Sequence, residues 1–474
     1  MREKKVVEIS RFDNFQQKSS DVVAKSFYNY SPNKFLENSK GVTIAKFQKN
    51  PTSKIEKELK ILDTNITSIE GLSYFKQYYS NGQFTTYRLL IYGNDKRVYI
   101  NQMLDDSFDM FWLYSLEFNS PPIVLTYKKN DADAVIIASE DQMKIWRTGY
   151  SPQTIEDVPI ITSMCMNEGV LFCTIKEPAF KVWYALDLNA EKIGEIGTSS
   201  GFVSLDDELG DARKILTFNE DVYVFRDYGI SKINCVKNEI TVSQIYLSNT
   251  KVYANTVSLC GNCILFMTKD GLYSFNGVKV KKVDIDLSEM TINNDAAVAS
   301  SLGEKYYVAL NIDFGDDKQV LCEQSDYVNN AIIEVDTEDY SYEIIRGVDV
   351  KFMLPVKTET FEKMLVIFNS GPIDKIGEIK KTSKYIDENL PKFWASDRLV
   401  KNSNTKLFTK LSVNADEGVK FTIKYDNKEI NFTTYTSGIN EFMFKICCKD
   451  IALEISSQEL SAVVKKVSLD YYEY

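Results

Sequence analysis

The sequence predicts an all-β protein: an irregular six- or seven-bladed β-propeller followed by a small antiparallel β-sandwich, with an extended N-terminal arm. Three observations predict this fold class. Short apolar runs rich in Val, Ile, Tyr and Phe alternate with Gly, Asn and Asp turn clusters from about residue 61 onward. Long helical periodicity is nearly absent, and one hairpin pattern recurs along the chain.

The recurring pattern is a pair of strands joined by a turn that contains glycine. Val222–Ile233 has four apolar residues, three turn-type positions, a glycine and a new apolar strand, and Ile264–Phe275 repeats this order position by position. Consecutive apolar residues in the first strand are typical of a strand that is buried on both faces. Gly229 and Gly271 fit a turn position that needs a positive φ.

The first strand of the pattern recurs at a spacing that is typical of propeller blades. A period of about 40–50 residues with four strands per unit is the propeller signature. Residues 61–380 are therefore predicted to hold six or seven blades, and a set of unrelated strands in one large β-sandwich is the alternative. The recurring strands begin, with a mean spacing of about 46 residues, at Leu89, Val135, Val170, Val222, Ile264, Tyr306 and Met364.

The two ends of the chain differ from the repeat. Residues 1–60 are polar and irregular, with Pro32 and Pro51 interrupting any long element, and we interpret them as an arm. Residues 381–474 alternate polar and apolar positions in several short strands, which predicts a small antiparallel sandwich. The sequence leaves open whether the arm or a late strand completes the first blade.

Composition excludes several classes of enzyme. The 474-residue chain has no His, which rules out a Ser-His-Asp triad, a Cys-His dyad and a His-ligated metal site. No glycine-rich phosphate loop of the nucleotide-binding kinds occurs either. We therefore predict that the protein is not an enzyme and has no catalytic residue, no cofactor and no metal site.

Carboxylate clusters are one remaining candidate for site chemistry. None of them has the alternating ligand spacing of a calcium loop, so solvated turns between blade strands are the favoured interpretation. A pair of glycosidase carboxylates converging across a cleft cannot be recognised from sequence. The clusters are Asp206–Asp211, Asp313 with Asp316 and Asp317, and Asp336 with Glu338 and Asp339.

Cysteines are the other candidate for site chemistry. Cys260 and Cys263 form a C-x-x-C motif, but it stands alone, and a structural zinc site needs a second pair at a matching distance. The adjacent pair Cys447 and Cys448 lies in a different predicted domain. We interpret the motif as a turn between two blade strands and most of the cysteines as buried thiols.

The charge balance bears on nucleic-acid binding. The net charge is −11, and only 9 of the 56 basic residues are Arg, the preferred bidentate reader of phosphate and guanine. This argues against sequence-specific DNA recognition but is compatible with a conduit to which DNA does not adhere. With no apolar signal segment and no run approaching about 18 apolar residues, we expect no membrane insertion.

The segment from Ile215 to Val283 resembles the propeller core of bacteriophage tail proteins. The resemblance rests on the two matching hairpins and on Asp270–Gly277, which fits the pattern D-G-[LI]-Y-x-[FY]-x-G. The family comprises tail hub, nozzle and head-completion ("stabilization") proteins, especially of short-tailed phages. Its members pair an irregular N-terminal arm with degenerate blades and a β-rich platform, and Phe393-Trp394 with Lys406–Val413 resemble the start of that platform.

The resemblance implies a structural virion protein, a tail nozzle or hub assembled in the host cytoplasm. Its copies are expected to form a homo-oligomeric ring, a hexamer, below the portal and adaptor and beside other tail proteins. The ring continues the DNA-ejection channel, and genomic DNA passes through without sequence-specific binding. The alternatives are a receptor- or glycan-binding propeller of a phage tail or bacterial surface, and a propeller glycosidase, which the missing Asp-box repeats and scarce Arg disfavour.

Overall fold

The protein is seen in a computed structural model, and none of its described segments forms a helix long and apolar enough to cross a membrane. In those segments the regular structure consists of 41 β-strands. The described residues are 4–10, 12, 24–28, 40–44, 46–48, 56–58, 66–78, 85–101, 110–129, 132–147, 151–155, 158–185, 200–236, 239–283, 285, 291–292, 296–313, 327–346, 348–358, 362–370, 373–381, 392–400, 404–459 and 461–474.

Five short strands lie in the N-terminal segment that the sequence predicts as an arm. The first three pair antiparallel with strands near the other end of the chain, and in one of these pairs Val42 lies opposite Ile379. The fourth and fifth pair with each other. The five strands are β1 Lys4–Ile9, β2 Ala24–Tyr28, β3 Lys40–Ile44, β4 Lys46–Gln48 and β5 Glu56–Glu58.

The first three blades are four-stranded antiparallel sheets in which neighbouring strands follow one another along the chain. Leu89, Val135 and Val170, where the sequence pattern begins, all lie in the second strand of a blade. The strands are β6 Ile69–Tyr78, β7 Thr85–Gly93, β8 Arg97–Asn101 and β9 Met110–Glu117; β10 Ile123–Lys129, β11 Ala132–Ala138, β12 Met143–Arg147 and β13 Gln153–Ile155; β14 Ile161–Asn167, β15 Val170–Ile175, β16 Lys181–Ala185 and β17 Ser200–Ser204.

Blades four to six repeat this architecture, and Val222, Ile264 and Tyr306 again lie in second strands. A separate pair of short strands, β26 with β29, accompanies blade six. The strands are β18 Ala212–Phe218, β19 Asp221–Arg226, β20 Gly229–Val236 and β21 Glu239–Leu247; β22 Val252–Cys260, β23 Cys263–Thr268, β24 Gly271–Phe275 and β25 Val280–Lys282; β26 Thr291–Ile292, β27 Val298–Leu302, β28 Lys305–Leu310, β29 Ile312–Asp313, β30 Ala331–Asp336 and β31 Tyr342–Arg346.

Blade seven is completed by the N-terminal segment. Its first three strands are β32 Asp349–Lys357, β33 Glu362–Ser370 and β34 Ile373–Lys381, and β3 is the fourth. The first strand β32 also contacts β6 of blade one, so the circle of blades is closed. The protein therefore contains a seven-bladed propeller, which confirms the predicted fold class. Of the two predicted blade numbers, six and seven, the structure has seven.

Alternate side chains of each second strand pack against different neighbours. In β19, Val222 and Val224 belong to a buried cluster shared with blade three, whereas Tyr223 and Phe225 belong to a cluster shared with blade five. The rings of Phe225 and Phe266 meet edge to face across the second boundary, with centroids 5.3 Å apart. Since both faces are buried, the strand is apolar at consecutive positions, which is the pattern that recurs in the sequence.

Steric crowding explains why glycine occupies the turn of the repeated hairpin. Gly229 has φ +156° and Gly271 has φ +124°, both positive as the sequence predicts. A Cβ added to Gly229 would lie 2.0 Å from the carbonyl oxygen of Tyr246 on the neighbouring strand. The backbone of β21 therefore passes too close to admit any side chain at this position.

The C-terminal domain is a sandwich of a four-stranded sheet, in the order β1-β41-β36-β39, and a five-stranded sheet, in the order β2-β35-β40-β37-β38. Trp394, Phe408 and Phe421 are fully buried between the sheets, and Phe12 packs edge to face on Trp394 at 5.3 Å. The strands of this domain are β35 Lys392–Ser396, β36 Lys406–Ala415, β37 Lys420–Tyr425, β38 Lys428–Thr433, β39 Gly438–Cys448, β40 Ala452–Ser457 and β41 Val464–Glu473.

The sandwich packs against the propeller rather than standing apart from it. Strand β2, at one edge of the five-stranded sheet, contacts β31, the outermost strand of blade six. One buried apolar cluster includes Leu265 of blade five, Val308 of blade six, and Trp394 and Leu469 of the sandwich. The N-terminal segment thus supplies one strand to the propeller and two to the sandwich.

Deletion of the N-terminal strands tests this closure. A chain without residues 1–48 lacks β1 to β4, which leaves the edges of three sheets unpaired and removes the partner of β5. We expect it to unfold at a much lower temperature and to aggregate, because unpaired strand edges promote pairing between chains. Differential scanning calorimetry and size-exclusion chromatography measure the two effects.

A peptide of residues 1–48 added to the shortened chain is the matched control. It can pair with the same three edges, so it should raise the unfolding temperature and restore a soluble species. A shortened chain that unfolds at the temperature of the full chain without the peptide would contradict the closure.

Candidate functional site

The carboxylate cluster Asp206–Asp211 lies in the connection between blades three and four, where arginines hold it. Asp207 pairs with the guanidinium of Arg226 at 2.6 Å. Arg213 donates to Asp211 at 2.9 Å, and to both carboxylate oxygens of Asp227, outside the cluster, at 2.9 and 3.1 Å. Asp207 and Asp211 of the cluster are therefore engaged in ion pairs within the chain.

Arg226 is the centre of this connection and its side chain is fully buried. The guanidinium donates to the carbonyl oxygens of Leu205 and Gly210 and to the hydroxyl of Ser231. Burial lowers the pKa of Arg226, and the carboxylate of Asp207 opposes that shift. Because each guanidinium nitrogen has an acceptor, Arg226 stabilises the connection and is not free to bind a ligand.

The other two carboxylate clusters lie at turns. Asp336 and Asp339 accept hydrogen bonds from the backbone N–H groups of Glu338 and Ser341, at 2.9 and 2.8 Å. Asp313 lies on β29, and the two other carboxylates of its cluster are outside the described residues. In the described part of the chain no group of three or more His, Cys, Asp or Glu side chains is arranged to hold a metal ion.

The cysteine motif lies in a hairpin turn. Cys260 ends β22 and Cys263 begins β23, and both are free thiols. Burial raises the pKa of Cys260 to about 11, so this thiol stays protonated near neutral pH. Cys447 and Cys448 are adjacent on β39, the first exposed and the second buried.

A cleft of about 430 Å³ lies between blades five and six. We call it the inter-blade cleft. It is bounded by the first and third hairpins of both blades, which lie at the same end of the antiparallel sheets. Most of the lining residues are polar, and they include Asn262, Lys279, Lys281, Glu304, Glu338 and Tyr340.

Tyr340 forms one wall of the inter-blade cleft from an unusual backbone position. Its φ is +58°, in the left-handed region that bulky residues rarely occupy. The Tyr340 N–H donates to the carbonyl oxygen of Asp336 at 2.8 Å, and the Tyr340 hydroxyl lies 3.4 Å from Oγ of Ser274 on blade five. The fold thus holds the tyrosine ring across the boundary between the blades while 37% of the residue stays exposed.

Glu304 fixes the opposite rim of the inter-blade cleft. Its carboxylate accepts a hydrogen bond from the hydroxyl of Thr337 at 3.0 Å. It also lies against Gly261 of blade five, where an added Cβ would come within 1.8 Å of Glu304 Oε2. The two blades are therefore in direct contact at the rim, and any side chain at position 261 would displace Glu304.

Two edge strands of the sandwich lie on the same side of the domain. Strand β39 is an edge of the four-stranded sheet and β38 is an edge of the five-stranded sheet. Tyr435, Ile439 and Met443 are 63%, 72% and 74% exposed on this side. We call β38, β39 and Tyr435 the open edge.

An aromatic cluster lies behind these exposed residues. Phe432 of β38 packs against Phe442 and Phe444 of β39, with ring centroids 5.0 and 5.4 Å apart. The ring of Tyr435 meets Phe442 edge to face at 6.2 Å. These contacts show that β38 and β39 adjoin each other, so the open edge brings the unpaired edge strands of both sheets together.

Neither surface was predicted from the sequence. The open edge has a signal that could have identified it, because Ile439 and Met443 occupy outward positions beside Glu441 and Lys445 in the alternating strand Gly438–Cys448. The inter-blade cleft has no such signal, since its walls come from hairpins of two different blades.

Comparisons with known proteins give no family: no family model and no curated protein matches the chain. Among solved structures, BBS1N in complex with ARL6DN is 12% identical over 72% of this chain and 96% of that chain, with a TM-score of 0.44. Virginiamycin B lyase from Staphylococcus aureus is 13% identical over 65% and 96%, with a TM-score of 0.36. Hsv2 from Kluyveromyces lactis is 7% identical over 59% and 97%, with a TM-score of 0.35. Likeness at this level carries no argument about function.

Substitution of Arg226 tests its structural role. Arg226→Met leaves the carbonyl oxygens of Leu205 and Gly210 without their buried donor, so we expect a loss of about 3 kcal/mol in the free energy of unfolding. Arg213→Met is the matched control, because that side chain is partly exposed and we expect a loss below about 1 kcal/mol. Urea denaturation measures both, and equal losses would contradict the assignment.

Proposed function

We propose that the chain is a structural virion protein of a tailed bacteriophage, a tail nozzle or hub without enzymatic activity. In this proposal, copies of the chain form a six-fold ring that continues the DNA-ejection channel below the portal and adaptor. The observation that carries the proposal is the open edge, where Ile439 and Met443 face solvent in an unpaired strand.

An edge of this kind is one that soluble monomers avoid. Natural proteins protect sheet edges with short strands, prolines or charges, because an unpaired edge attracts another strand. Strand β39 has 11 residues and no proline, and its outward charges, Glu441 and Lys445, alternate with apolar side chains. Exposed apolar side chains grouped on an unpaired edge strand, such as Ile439 and Met443 of β39, are a feature of protein–protein contacts.

A second copy of the chain is the partner that we infer for the open edge. The four-stranded sheet has two edges, β39 on one side and β1 on the other. Pairing β1 of one copy with β39 of the next makes a head-to-tail contact that can repeat. Such a contact closes into a ring when a whole number of the rotations that relate one copy to the next makes a full turn.

The charges support a lumen to which DNA does not adhere. Arg88, Arg226 and Arg346 are buried, so three of the nine arginines are withheld from phosphate contacts. The net charge of −11 repels the DNA backbone at long range. The resemblance of the repeated hairpins to phage tail propellers is the reason for placing the ring in a virion, with assembly in the host cytoplasm.

Assembly of the purified chain tests the proposal. We expect closed rings in negative-stain electron microscopy and a matching species in sedimentation velocity, alone or with the portal–adaptor complex. Ile439→Lys combined with Met443→Lys places like charges where copies meet, and we expect it to weaken assembly more than about 100-fold while the monomer stays folded.

Val278→Lys is the matched control, because Val278 is 86% exposed on a propeller turn and lies outside the open edge. This variant should assemble like the unmodified chain. A chain that remains monomeric at high concentration, both alone and with the portal–adaptor complex, would contradict the proposal.

A further inference from the structure

The inter-blade cleft retains polar groups that the fold does not use. The side chains of Asn262, Lys279, Lys281 and Glu338 make no hydrogen bond or ion pair within the part of the chain that the structure describes. All four line the same space of about 430 Å³, which is within the size range of small-molecule sites. Groups that satisfy no internal contact are available for a ligand.

The mixed charges of the cleft disfavour ligands that carry a single kind of charge. A phosphate or other anion would meet the carboxylates of Glu304 and Glu338, and a cation would meet the ammonium groups of Lys279 and Lys281. An apolar ligand would leave all four groups desolvated without partners. A neutral ligand with many hydroxyl groups fits, since each hydroxyl both donates and accepts, and the cleft offers both kinds of partner.

The position of the Tyr340 ring points to the same conclusion. Tyr340 has left-handed backbone at the end of the hairpin turn, where its N–H donates to the carbonyl oxygen of Asp336. Here it sets a partly exposed aromatic ring as a wall beside the unused polar groups. A partly exposed aromatic ring in the same cleft as donors and acceptors suits the ring of a sugar, whose faces are apolar and whose edge is polar.

From these observations we infer that the inter-blade cleft binds a neutral oligosaccharide, with the ring of Tyr340 against one face of a sugar and with Asn262, Lys281 and Glu338 bonded to its hydroxyl groups. The site lies within one chain, so this inference does not rest on ring assembly or on the phage assignment. It gives the propeller a recognition function in addition to the structural one.

Saturation-transfer difference NMR on the full chain tests the inference. The probes are maltose, cellobiose, lactose, melibiose, mannobiose and N,N′-diacetylchitobiose, each at millimolar concentration, and titration calorimetry then measures the Kd of any that responds. Tyr340→Asn removes the ring but keeps a residue that tolerates left-handed backbone. We expect at least one disaccharide to bind, and this variant to weaken that binding about tenfold or more.

Two further variants keep the test decisive. Glu338→Ala combined with Lys281→Ala changes only exposed side chains, so it cannot be dismissed as misfolded, and we expect it to weaken binding as well. Tyr228→Ala is the matched control, because Tyr228 is 42% exposed in a second hairpin, at the opposite end of the blades, and its loss should leave binding unchanged. The inference is overturned if none of the six disaccharides gives a saturation-transfer signal, or if binding is unchanged in both cleft variants.

Discussion

The pairing of sheet edges is the constraint on which the rest of the structure depends. A circle of blades is complete only when its last sheet is complete, and here β3 from the N-terminal segment fills the fourth place in blade seven. The same segment gives β1 and β2 to the two sheets of the sandwich. Neither domain therefore has complete sheets without residues that precede both of them in the chain.

The blades were predictable from the sequence because their signal is local. Each second strand lies between two neighbouring blades, so residues such as Val224 and Phe225 are both buried although they face opposite ways. The pairing of the N-terminal strands was not predictable. They are short and separated from their partners by most of the chain, and a strand such as Lys40–Ile44 carries no local pattern that specifies Ile373–Lys381.

The candidate sites were less predictable than the fold, because each depends on contacts between distant residues. The sequence predicts that the cluster Asp206–Asp211 is a solvated turn. Only the structure reveals that the buried guanidinium of Arg226 packs against it. The inter-blade cleft combines hairpins of two blades, and the strain at Tyr340 is invisible in sequence. The open edge arises where the edge strands of two different sheets lie side by side, as the contact of Phe432 with Phe442 shows.

The central claim is that copies of the chain meet at the open edge, and hydrogen–deuterium exchange at low and high protein concentration tests it most directly. Pairing with β1 of the next copy supplies acceptors for those backbone amides of Gly438–Met443, part of β39, that point away from β36. These amides should exchange more slowly at high concentration, while amides in the exposed turns of the propeller keep their rates. Equal exchange of these amides at both concentrations, in a sample that sediments as rings when concentrated, would contradict the claim.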